Sequence, residues 1–111
     1  MITISTNSDV ITLINVFTVE RANQRRLIEL LTETTEVSIR QTPCFVSASL
    51  HRSTDGTKVT MYAQWRSIGH YQAMRQDPAP LRILQETLTI AKFEPGLYEV
   101  VQTFAANGEP N

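Results

Sequence analysis

Cysteine occurs once in the 111 residues, at Cys44, so no internal disulfide can form and the usage suits a reducing compartment. Following Pro43 at the start of a strand, Cys44 reads as a small buried hydrophobe rather than a reactive thiol. Glycine is scarce: the four residues stand apart, and none forms a phosphate-cradling loop or a dinucleotide fingerprint. The two histidines, His51 and His70, fall in no ligand spacing with the cysteine, so no metal is expected. No G-x-S-x-G elbow accompanies the serines. No apolar run approaches the roughly 18 residues that a membrane helix needs. Met1 to Asp9 lacks both a basic n-region and an apolar h-region, so the expected location is the cytoplasm, without membrane association. Charge is also sparse, a net −1 with no long run of either sign, which excludes an electrostatic grip on nucleic acid. Arg21, Arg25 and Arg26, the densest basic group, read as the solvated start of a helix.

What remains is an ordinary globular composition, 41% hydrophobic and 19% charged, expected to form one domain over residues 1–111. Its core should span about 10–104, with residues 105–111 a frayed tail. Val10 to Thr18 alternates and is rich in branched residues, predicting a first strand. A helix is predicted from about Ala22 to Gln41, with Leu27, Leu30, Leu31, Thr34, Val37 and Ser38 on one stripe, stopped by Thr42-Pro43. Phe45 to Arg52 and Lys58 to Trp65 read as a hairpin around Asp55-Gly56. A short helix, Ile68 to Gln76, capped by Ser67, precedes Asp77-Pro78-Ala79-Pro80; a third helix is predicted over Leu81 to Ala91. Pro95-Gly96 breaks the chain before a last strand, Leu97 to Phe104.

The order β-α-β-β-α-β predicts an α+β, ferredoxin-like protomer with its second helical region broken in two. One sheet face should pack on the helices. The other carries Val10, Ile14 and Val16 with Tyr98, Val100 and Phe104, too apolar for water, which predicts a face-to-face homodimer.

Two strand positions stand out. Asn15 interrupts the apolar row of Ile11, Leu13 and Phe17, and a buried amide without a partner costs about 1–3 kcal/mol. It either donates from its NH2 group to a carbonyl or enolate oxygen, or is a core amide satisfied by backbone. Trp65, the only tryptophan, shares a strand face with Val59, Met61 and Ala63, and either lines a planar ligand or belongs to the core. Tyr71 lies where a phenol can bond a ligand or sit at the rim. His70, adjacent in sequence, points about 100° away. Arg82 is a candidate to face an anionic substrate, its alternative being a solvated cation. Met61, Met74 and Leu84 are the expected apolar walls of a pocket between sheet and helices.

The segment Leu13-Ile14-Asn15-Val16-Phe17-Thr18-Val19, with Ala63-Gln64-Trp65-Arg66-Ser67 before a short helix carrying Tyr71, resembles the antibiotic biosynthesis monooxygenase family over about Val10 to Val101. That resemblance implies a dimeric α+β barrel. It also implies oxidation of an anthrone, quinol or phenol to a quinone by O2, with no metal, flavin or haem. Asn15 and Trp65 would then be catalytic, with Tyr71, Met61, Met74, Arg82 and Leu84 binding a small aromatic substrate. The chain departs from the pattern at Met61, where polyketide-oxidising members carry a second asparagine. The related haem-degrading enzymes place an iron-ligating histidine where this chain has Arg75, with His70 off register. A haem enzyme and a non-catalytic ligand-binding stress protein on the same scaffold are the two alternatives.

Overall fold

A computed structural model describes residues 3–6 and 9–108. Its elements are β1 (Ile11–Val19), α1 (Gln24–Val37), β2 (Phe45–Arg52), β3 (Lys58–Trp65), α2 (Ile68–Gln76), α3 (Pro78–Thr87), β4 (Ala91–Glu94) and β5 (Leu97–Tyr98). The strands pair antiparallel in the order β2-β3-β1-β4, with β5 also on β1. This is the ferredoxin-like topology, with the helices on one face of the sheet.

Strand alternation sorts the residues. Leu13, Phe17 and Val19 from β1 and Val59, Met61, Ala63 and Trp65 from β3 meet Leu27 and Leu31 of α1 and Tyr71 of α2 in one core. Leu27 and Leu13 are sealed from solvent, each worth about 1.5–3 kcal/mol by transfer of its side chain from water. The β2–β3 hairpin is held at its tip by Asp55, whose carboxylate accepts from the Thr57 amide (3.0 Å) and from the Ser53 and Thr57 hydroxyls (each 2.7 Å). The Thr57 amide bond, followed by the two hydroxyls, lowers the Asp55 pKa to about 2. Gly56 supplies the turn's positive φ of 83°. Cys44 is half-buried and also takes a left-handed φ, 69°, where the chain turns into β2.

Several element boundaries differ from the sequence expectation. The helix expected over Ala22 to Gln41 is α-helical only through Gln24–Val37, flanked by single 3-10 turns at Arg21–Asn23 and Ile39–Gln41, because Ser38 leaves helical geometry (φ −127°, ψ −58°). The third helix starts at Pro78 rather than Leu81. Asp77 caps it through the Ala79 amide (3.3 Å), and a proline at the first helical position has no amide to leave unsatisfied. That helix also ends at Thr87, and Ala91, expected as its last residue, opens β4 instead. Phe93 of β4 stacks on Phe17 at 4.8 Å, a tertiary contact that outweighs local helix preference.

The last strand, expected over Leu97 to Phe104, forms only at Leu97–Tyr98. Tyr98 pairs with Thr12, so continuing the ladder would soon pass the start of β1 and leave the backbone without a partner. Beyond it the chain to Gly108 has no helix or strand, and Val101 and Phe104 are 84% and 90% exposed. The expected tail lies partly outside the described residues.

Candidate active site

The loop after β3 is short because Ser67 caps α2 at once, its Oγ accepting from the His70 amide at 3.3 Å. The helix therefore begins directly beside Trp65 and turns Tyr71, Met74 and Arg75, at i, i+3 and i+4, toward the sheet. Across from them, β1 offers Leu13, Asn15 and Phe17, and β3 offers Met61, Ala63 and Trp65. An apolar cavity lies between, closed by Leu31 and Thr34 of α1 and by Pro80, Leu81 and Leu84 of α3. A shift of register between Phe45 and Ser47 in β2 sets Phe45 opposite Trp65 and onto this wall.

Trp65 is almost fully buried and held edge-on by two rings, Phe45 at 5.3 Å and Tyr71 at 5.6 Å. Its plane is thus set by packing. Burial pushes the Tyr71 phenol above its ordinary value of 10.0, while the Arg75 charge and its contact with the hydroxyl pull the other way. The phenol is consequently a neutral donor at ordinary pH. The Arg75 guanidinium lies 5.9 Å from the centre of the Phe93 ring.

Asn15 pairs across the sheet with Met61, so a carboxamide and a thioether stand side by side in the cavity wall. The residue is 8% exposed, its Oδ1 is buried without a hydrogen bond, and Nδ2 makes none among the described residues either. The core-amide alternative required backbone partners that this geometry does not supply.

Of the residues singled out in the sequence, Asn15, Met61, Trp65, Tyr71, Met74 and Leu84 line this cavity. Arg82 does not: it is exposed on α3, because Ile83 and Thr87 take that helix's inward positions. Arg75 stands in the lining instead. Phe45 and Phe93 were not singled out either, since their placement needs the β2 bulge and the late strand β4. His70 is exposed outside the cavity, and no cluster of His, Cys, Asp or Glu able to hold a metal occurs among the described residues. No described helix is long and apolar enough to cross a membrane.

An apolar pocket with a few convergent polar groups suits a small aromatic molecule, and comparison with known proteins gives the family. The model of the antibiotic biosynthesis monooxygenase family matches residues 10–85, and the chain belongs to that family. It is a monooxygenase by this membership. Tetracenomycin-F1 monooxygenase of Streptomyces glaucescens is 42% identical over 106 residues, covering 96% of this chain and 95% of that one. Among solved structures, the ActVA-Orf6 monooxygenase of Streptomyces coelicolor, in complex with nanaomycin D, is 28% identical with a TM-score of 0.78, covering 93% of this chain and 99% of that one. SnoaB of Streptomyces nogalater, a cofactor-independent oxygenase, shares the fold at 24% identity and a TM-score of 0.74, over 86% of this chain and 97% of its own.

Proposed function

We propose that the protein is a one-domain, cytoplasmic monooxygenase that oxidises an electron-rich polycyclic aromatic, an anthrone, quinol or phenol, to a quinone with O2 and no cofactor. The observation that carries this reading is the Asn15 carboxamide, buried in an apolar wall without a hydrogen-bond partner among the described residues. An unsatisfied buried amide costs stability, and a ligand that accepts from Nδ2 through a carbonyl or enolate oxygen, or donates a hydroxyl to Oδ1, offsets that cost. The likeness to tetracenomycin-F1 monooxygenase supports an aromatic polyketide as the substrate class.

The reaction needs little from the protein beyond positioning. Loss of a proton from the activated CH2 of an anthrone gives a carbanion delocalised onto the ring oxygen. That anion passes electrons to O2, a C–O bond forms, and the resulting hydroperoxide loses water to leave a carbonyl; one oxygen atom enters the product and the other leaves as water. Asn15 donates from Nδ2 to the enolate oxygen, Trp65 holds the ring plane, and the Tyr71 hydroxyl contacts a substrate oxygen. Met61, Met74 and Leu84 keep water away from the carbanion.

The assembly is a homodimer joined through the sheet face that no helix covers. Ile14 and Val16 are only half-buried there, and Tyr98, Val101 and Phe104 are 53%, 84% and 90% exposed. A second copy of the chain supplies the strand partner that the segment after Tyr98 lacks.

Oxygen uptake measured with quinone absorbance, using an anthrone and EDTA-treated protein without NAD(P)H, tests the reading. Turnover that Asn15→Ala lowers about 10- to 1,000-fold supports it. Dependence on added iron, haem or flavin overturns it, and tight binding without oxygen uptake moves the protein to a ligand-sequestering role.

A further inference from the structure

Arg75 is the only charged side chain in the cavity lining among the described residues. It also has no carboxylate within ion-pair distance there: the two ion pairs found, Arg26 with Glu86 and Arg40 with Glu36, lie elsewhere. The guanidinium is not loose, because it sits over the Phe93 ring, which is itself stacked on Phe17. Its position in the last turn of α2 favours a cation through the helix dipole, and beyond its contact with the Tyr71 hydroxyl its five donors have no partner among the described residues.

We infer that Arg75 recognises an ionised oxygen at the edge of the aromatic substrate, so that the enzyme selects anionic over neutral polycyclic compounds. This rests on the proposed aromatic-oxidising function and names the substrate class more narrowly. Arg75 is itself exposed, at the edge of the cavity, but the lining beside it is apolar and holds no acidic side chain to oppose an anion. Tyr71, one turn before Arg75 and the only other titratable group in the lining, is a neutral phenol able to donate to the same oxygen. The pair therefore forms a two-donor grip, one arm charged, at the helix side of the cavity, across from the Asn15 amide on the sheet. A ring system bridging them is bound at both edges.

The anionic oxygen can be a carboxylate or an ionised phenol, and the two are separable by calorimetry with three probes: 2-naphthoate, its methyl ester and 2-naphthol. Arg75→Gln is expected to weaken 2-naphthoate binding about tenfold or more while leaving the ester within about twofold. Arg75→Lys should recover part of the loss, since it keeps the charge without the planar fork. If a carboxylate is read, naphthoate affinity stays flat between about pH 6 and pH 9. If a phenolate is read, naphthol affinity climbs across that range in the parent protein and not in Arg75→Gln. Equal losses for acid and ester, or preference of the parent protein for the ester, overturn the inference. Failure of oxygen uptake would sink the monooxygenase reading while leaving this charge discrimination intact.

Discussion

The two faces of β1 each bury one polar side chain whose oxygen finds no partner among the described residues, Asn15 toward the helices and Thr12 on the opposite side. They lie one helical-turn's worth of sequence apart and are both nearly closed to solvent, at 8% and 2% exposure. Their surroundings differ. Asn15 faces a cavity beside Trp65, whereas Thr12 pairs across the sheet with Gln64 and Tyr98. Gln64 is itself occupied, accepting from Ser47 Oγ and donating to the Thr3 carbonyl, each at 2.7 Å. An orphaned polar atom is thus informative about ligands only when open space lies in front of it.

The sharpest way to break this comparison is to remove both polar groups by near-isosteric apolar residues. Asn15→Leu should lower turnover by two or more orders of magnitude while raising the thermal midpoint, because an unpaired amide leaves the core. A fall in both, read by oxygen electrode and calorimetry, would assign Asn15 to structure alone. Next in size is assembly: Val16→Asp, on the uncovered face, should convert a dimer to monomers or prevent folding, while Arg25→Ala does neither. Sedimentation at micromolar concentration reads the difference, and a monomeric parent protein would remove the dimer from the proposal.

Tyr71→Phe tests the cavity face at high pH. The phenol's folded pKa is raised, so its contribution to stability is present below the unfolded value of 10.0 and is lost as pH rises through the folded value. Parent stability should therefore fall above about pH 10, and the Phe variant should fall less over the same window. Denaturation series at successive pH values check this, and parallel curves would contradict it. The smallest effect belongs to Thr12→Val, expected to stabilise by about 1 kcal/mol or less and to leave turnover unchanged. A loss of activity in that variant would erase the distinction between the two faces.

Much of this was legible from residue order. Asn15 in a row of Ile11, Leu13 and Phe17 needed only strand alternation to be noticed, and the same rule set Met61 and Trp65 on one face. The Asp55-Gly56 turn fixed the register of the β2–β3 hairpin. Arg75 was not legible as a cavity residue, since helical spacing alone cannot say which of Arg75 and Arg82, both exposed, borders the cavity. Nor was β4, where Phe93 joins the sheet because Phe17 is there to receive it.

The sequence by itself determined the periodic elements, the ferredoxin-like order and the family, because these follow from local pattern and from short motifs along the chain. The tertiary structure decided where α3 begins to turn its apolar stripe inward, that Arg75 rather than Arg82 reaches the cavity, and that Asn15 has no partner. Each of those depends on groups distant in the chain meeting across a packed interface, and a pairing between remote residues has no local signature.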